Sequence, residues 1–493
     1  MDTTMINELK KVTGLEIYQA SISPAGEATY FLARRGSEKL AGCVGKGKIA
    51  GDKVGSLGGK DVTVGATDAT NAAAIRAALP WTAPKCLGLA TSVGLGDRLG
   101  LATPGHIRAV RGTGLAPILA QQSIREMTRT NRKPQQVMDC ATWGVFQEGF
   151  RDGFGSDADH VQKLEDLDAV VAAGFTMFTI DPGPHVVNEA DRLDGADLRQ
   201  RYQAMDLTGL EITADALKAR YAGKEFKLTG GSVVAFDEMA FLRAAIKYGA
   251  AIAHIVRAYR KLKSIARQPF ELEVSVDETE SVTTPGEHYF FAAELKRLGV
   301  TWVSMAPRLV GRFEKGVDYI GDLSVFRSSF AQHVAVMRTL GPYKISIHSG
   351  SDKFSVYPIV AELTGGLVHL KTAGTSWLEA VRAVGRIDPA LFREIYDFAR
   401  ERYETDKASY HVSADIAKVP PAGSLSDARL PEMLDDFHAR QALHVTFGSV
   451  LTADDGQRFR KRFYAALQRD EEVHYAALVK HIGRHVAPFA RKQ

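Results

Sequence analysis

Cysteine is scarce. Cys43, Cys86 and Cys140 are the only three in 493 residues, odd in number and without a CxxC spacing. That excludes a disulfide framework and a thiolate zinc site, and it makes the cytoplasm the expected compartment. Long apolar runs are also missing. No stretch approaches the roughly 18–20 residues needed to span a bilayer, and the opening MDTTMINELKKVTG has no apolar segment of the kind a signal peptide needs. Neither sign of charge is in excess: 62 basic against 58 acidic residues leave +4. So even a balance argues against nucleic acid or a membrane surface as the main partner. What is present, 45% hydrophobic and 24% charged residues, is the composition of a globular enzyme.

Two glycine-rich stretches fail as nucleotide sites. SVGLGDRLGLATPGHI (92–107) places Gly94, Gly96 and Gly100 as GxGxxxG, the wrong spacing for a dinucleotide fingerprint, and Pro104 interrupts any following helix. Arg98 and His106 in that stretch are candidate substrate contacts instead. GCVGKGKIAG (42–51) lacks the strand and helix that flank a phosphate loop.

Residues 1–83 alternate short strand-like runs, such as EATYFLARR and KDVTVGAT, with turn signals, and are expected to form a small β-rich element. From residue 84 to 388 the texture changes. Apolar runs at 86–91, 115–121, 136–142, 175–181, 270–277, 301–307, 344–348 and 367–372 alternate with amphipathic patterns. Eight such units predict a (β/α)8 TIM-type barrel, whose strands are covered on both sides. An insertion is expected at about 183–235, followed by one long helix over 236–268, and residues 389–493 read as a helical extension that offers a surface for packing between subunits.

In such a barrel chemistry belongs to the C-terminal ends of the strands. Asp181, Asp277, Glu278, His348, His369 and Lys371 fall at or near predicted ends, and Asp159-His160 follows the third predicted strand. Imidazole suits first-row divalent metals, and three protein ligands leave a coordination position open for substrate. His348 and His369 each precede a turn rich in Gly, Ser or Thr, where backbone N–H groups can approach an anion. Asp159-His160 also reads as the start of a helix capped by Ser156 or Asp157. Asp277 and Glu280 compete with Glu278, and His288 is a reserve ligand. Lys353 and Lys371, beside the two histidines, are candidate cations for a substrate carboxylate.

The blocks GLGDRLGLATPGHI, GFGSDADHVQ, VDETESVTTPGEHYFFAAELKRLGV, APRLVGRFEKGVDYIGDL, GPYKISIHSGSDKFSVYPI and VHLKTAGTSWLEAVR resemble the tagaturonate epimerase family, and the resemblance runs over about residues 85–452. It implies a divalent-metal-dependent isomerase that interconverts tagaturonate and fructuronate in bacterial hexuronate breakdown. By that resemblance Asp159 is the proton acceptor, Glu278 the proton donor, and His160, His348 and His369 the metal ligands, with Arg98, Lys353 and Lys371 toward the sugar acid's carboxylate. The metal is left open among zinc, manganese, nickel and cobalt. The inverted carbinol carbon is β to the ketone, so enolisation cannot invert it, and retro-aldol cleavage followed by re-addition is the expected route. The site is similar by analogy to that of class II aldolases. A metal aldolase or a 4-epimerase of neutral ketoses such as fructose and tagatose is the alternative reading, and a sugar-acid binding protein is the non-enzymatic one.

Overall fold

The computed structural model describes residues 3–490. A six-stranded antiparallel sheet comes first, built chiefly from Ala28–Arg35, Glu38–Gly45, Asp52–Leu57 and Lys60–Ala66. Successive side chains on a strand point to opposite faces, and both faces are used. Phe31, Ala33, Val44 and Val62 pack with Leu9 of the N-terminal helix, while Tyr30, Leu32, Ala41 and Cys43 pack with Ile75 and with Phe146 of a barrel helix.

Eight parallel strands then close a barrel: β1 (Ser92–Gly96), β2 (Ala116–Ser123), β3 (Gly155–Val161), β4 (Met177–Ile180), β5 (Glu271–Val276), β6 (Ser304–Pro307), β7 (Lys344–Ile347) and β8 (Val368–Thr372). The TIM-type barrel expected from the sequence is therefore present. Two of its predicted strands are not. Residues 86–91 form a turn, with Gly88 at φ 60°, and the first strand is the next segment, SVGLG. Its glycines answer a crowded interior: a Cβ on Gly94 would collide with the Gln121 side chain. Residues 136–142 lie inside the helix Pro134–Glu148, where Pro134 starts the helix and the Lys133 N–H donates to Gln136 Oε1 at 2.8 Å. The third strand is instead GSDADHV, so Asp159 and His160 lie on a strand rather than at a helix start.

That strand was hidden because the barrel interior is polar. Asp157 and Asp159 on β3, Glu273 and Ser275 on β5, Lys344 and Ser346 on β7, and His369 and Lys371 on β8 alternate with apolar residues, and all are buried. The apolar partners, such as Ala158, Val274, Ile345 and Leu370, belong to the large hydrophobic core shared with the surrounding helices.

Between β4 and β5 the chain makes the helices Gly195–Gln203 and Ala214–Tyr221, a short hairpin, and the helix Glu238–Ile265. Contrary to the expectation that no stretch reaches bilayer-spanning length, this last helix is long and apolar enough to cross a bilayer by length and composition, and 78% of its apolar stretch is buried inside the fold. Lys247 on it donates to Asp191, Ser281 and Glu287. Those bonds tie the inserted segment to the loop that carries Glu278.

The C-terminal helices form their own core around Trp377, Phe392, Phe447 and Phe463, and they clamp the top of the barrel. Arg440 Nε donates to Gly316 O at 2.7 Å and its Nη2 to Asp352 Oδ2 at 3.0 Å, while Asp352 Oδ1 faces His481 Nε2. The Asp352 N–H donates to His485 Nε2, and His485 Nδ1 donates to His481 O. This Asp–His–His cluster has ligand-like composition, but it is wholly buried against Arg440 and lies outside the strand-end pocket. It fastens the loops after β6 and β7. Removing one partner of a buried, hydrogen-bonded charge network costs about 3–5 kcal/mol. Asp352→Ala is therefore expected to lower the unfolding free energy by about that amount in urea titration, and unaltered stability would show the clamp to be idle.

Candidate active site

The strand ends converge on a pocket lined by Arg98, Arg125, Asp159, His160, Lys315, His348, Ser349, Lys371, Tyr410 and His444. At its floor Lys371 Nζ lies 2.7 Å from Asp157 Oδ2, from Asp159 Oδ1 and from Glu273 Oε1, and it donates to Thr179 Oγ1 at 2.6 Å. Burial disfavours the ammonium, but the three carboxylates outweigh it and hold Lys371 well above its usual range. Burial also works against ionisation of Asp159, where Lys371 and His160 prevail and hold the carboxyl below its usual range. In Asp157, deeper in the barrel, burial wins and pushes the carboxyl up to about 6.

His160, next to last in β3, has φ 50°, a conformation uncommon for a non-glycine residue, and Ser349 follows His348 at φ 48°. Such strain persists only where the surroundings enforce it. For His160 the enforcing group is Asp181, whose Oδ2 lies 3.1 Å from His160 Nδ1 and is itself held by Gln162 and by the Gly183 N–H through Oδ1. His160 Nε2 is thereby turned toward Asp159, 3.8 Å away. The two histidine rings meet edge-on with centroids 4.9 Å apart. His348 Nδ1 lies 3.0 Å from Asp277 Oδ1 and Nε2 lies 2.6 Å from Glu273 Oε1. Against burial, Asp159 and Asp181 raise His160 to about 10, and Asp277 and Glu273 raise His348.

His160, Asp277 and His348 bring donor atoms within 4.8 Å of one another, a set suited to a divalent cation. His160, Asp181 and Glu278 form a neighbouring set, so Glu278 stands beside His160. Its carboxylate accepts from Arg125 Nη2 at 3.1 Å.

The third expected histidine is placed differently. His369 pairs in register with Ser346, two residues below His348, and groups with Asp157 and Glu273 rather than with the other histidines. It is fully buried with Nδ1 3.0 Å from Ser92 Oγ, and burial lowers it to about 3. Asp277, a competitor of Glu278 in the sequence, takes the third place beside His160 and His348.

Three further expectations are corrected. Lys353 is buried and donates to the carbonyls of Glu314, Val317 and Ser351 at 2.6–2.8 Å. It cross-ties the loops after β6 and β7 and does not line the pocket. His288 faces His333 and Tyr343 between two outer helices, and His106 is buried against Ser376. Arg98 does line the pocket, with its guanidinium bonded twice to Glu126 Oε1 and stacked 3.7 Å from the Phe447 ring centroid.

Sequence reasoning missed Arg125, Lys315, Tyr410 and His444. Tyr410 and His444 come from the C-terminal extension, whose helical pattern carried no sign of contact with the barrel mouth. Glu273 was hidden as a charged residue inside a run expected to be apolar, and Asp157 was read as a candidate helix cap, whereas both point into the barrel.

Lys371→Met would leave three buried carboxylates without their cation, a loss of about 3–5 kcal/mol. Adding Asp157→Asn should recover part of that loss, a coupling that a double-mutant cycle in urea reads directly. A Lys371→Met protein as stable as the parent would contradict this reading of the floor.

The architecture has close counterparts. The tagaturonate epimerase family model matches residues 18–489. A tagaturonate/fructuronate epimerase of Thermotoga maritima is 42% identical over 482 residues, 96% of each chain. The native crystal structure of the fructuronate-tagaturonate epimerase of Cohnella laeviribosi superposes with a TM-score of 0.92 at 37% identity, covering 98% of both chains. A glycerol complex of the same enzyme does so at 36% identity. Matched from the N-terminal sheet to the last helix, the chain belongs to the tagaturonate epimerase family.

Proposed function

We propose that this protein interconverts tagaturonate and fructuronate, as its relatives are named for doing, and that it does so with a divalent cation held by His160, Asp277 and His348. One observation carries the reading. Two strand-end histidines and an aspartate converge within 4.8 Å, and Asp159 and Glu278 both stand beside His160.

A cation there would supply Lewis-acid polarisation of the substrate ketone. The rest falls to the side chains. The carbon to be inverted is β to that ketone, so its C–H bond is not acidic and must not be the bond that breaks. Cleavage of the adjacent C–C bond sends its electron pair toward the ketone fragment as an enediolate, while the hydroxyl proton of the inverted carbon passes to Asp159. The resulting aldehyde turns over, the same C–C bond re-forms on its opposite face, and Glu278 returns a proton to the new alkoxide. Asp159 is fixed for this by Lys371, which keeps it ionised and oriented. In the reverse direction the two carboxyl groups exchange duties.

The direct test is metal-loaded protein incubated with tagaturonate, with and without EDTA, and the products resolved by chromatography. Fructuronate should form in a metal-dependent manner and reach the same ratio from either side. An unchanged substrate pool would exclude the activity, and metal-independent turnover would exclude the cation. For the division of roles, Glu278→Gln should abolish turnover while retaining metal, and His348→Ala should lose both. Metal loss in Glu278→Gln would make Glu278 a ligand.

A further inference from the structure

The proposed substrate carries a carboxylate that a neutral ketose lacks, and the pocket has to supply a charge for it. Four long cationic side chains line the pocket: Arg98, Arg125, Lys315 and Lys371. Three are already balanced. Arg98 is bonded to Glu126, Arg125 to Glu278, and Lys371 to Asp157, Asp159 and Glu273. Lys315 has no carboxylate within ion-pair distance among the described residues. Its Nζ donates to Ser349 Oγ at 2.6 Å, and an ammonium has three donors.

Lys315 is also well placed. Ser349 directly follows His348, and Lys315 shares with His348 and Ser349 the wall between the site pocket and the neighbouring cleft under Tyr410. Its loop is rigid: Arg440 holds Gly316, and Lys353 holds the carbonyls of Glu314 and Val317 on either side. A lysine fixed at its backbone and anchored to a serine at its tip presents a point charge at a defined place.

We infer that Lys315 is the counter-ion for the sugar acid's carboxylate and sets the preference for keto-uronates over neutral ketoses. This rests on the proposed function for the identity of the substrate, although the anion subsite can be tested without turnover. In the retro-aldol sequence the carboxylate lies on the aldehyde fragment. Lys315 would then tether that fragment while its carbonyl turns over, so the atoms that must rotate do not leave.

The test is calorimetric binding of D-galactonate and of galactitol, an acid and a neutral polyol of the same length, to metal-loaded parent, Lys315→Met and Lys315→Arg proteins. Galactonate should bind the parent more tightly than galactitol. Lys315→Met should lower galactonate affinity about tenfold or more, the scale of a charge-assisted hydrogen bond, and leave galactitol within about twofold. Lys315→Arg should restore part of the difference. A general structural defect would weaken both ligands alike and overturn the assignment, as would unchanged galactonate binding in Lys315→Met or failure of the parent to prefer the acid. In the epimerase assay the same variant should raise KM for tagaturonate more than it lowers kcat. If the parent does not turn over tagaturonate, the proposed function falls while the binding result still decides the role of Lys315.

Discussion

The ammonium of Lys371 is the group on which the site depends. Three carboxylates sit inside a closed barrel, where an unpaired ion is far more costly than in water. Each lies 2.7 Å from the same nitrogen. Without that cation Asp157, Asp159 and Glu273 could not share the lumen in charged form. With it, Asp159 is ionised and aimed at the mouth, and Glu273 is free to hold His348 from below. The histidines above are set in turn by carboxylates behind them, Asp181 behind His160 and Glu273 beneath His348. Carboxylates that orient imidazoles in this way are the usual support of a metal site.

A polar lumen requires a rigid outer frame. The loops after β6 and β7 are fastened from outside by Arg440, His481 and His485, and to each other by Lys353. The C-terminal helices are thus part of the site's foundation, and they also contribute Tyr410 and His444 to its wall. Left-handed backbone occurs at Asp352, where these ties meet, and at His160 and Ser349 in the pocket wall. Strain of that kind is maintained only by surroundings that leave the chain no alternative.

Much of this was legible in the sequence, and the limits have physical causes. The strands β2 and β4–β8 announce themselves as apolar runs because their outward faces lie under helices. β3 does not, since GSDADHV turns its acidic residues inward, and β1 hides as a glycine-rich loop. The helix Pro134–Glu148 passed for a strand because Val137, Met138 and Ala141 look alike in either period over so short a window. Asp159, His160 and His348 could be found because a barrel's chemistry gathers at strand ends. Lys353 misled, since five residues from His348 in sequence is the far side of a loop in space. Lys315 and Tyr410 lie on loops, where no periodicity marks which way a side chain will face.

The central claim is that His160, Asp277 and His348 hold one divalent cation above the Lys371 floor. Anomalous diffraction from crystals of the manganese- or zinc-loaded protein tests it most directly. The account predicts a single peak ligated by those three side chains, with His369 outside its coordination sphere. A peak shared between His369 and the other two histidines, or no bound ion at the strand ends, would contradict it.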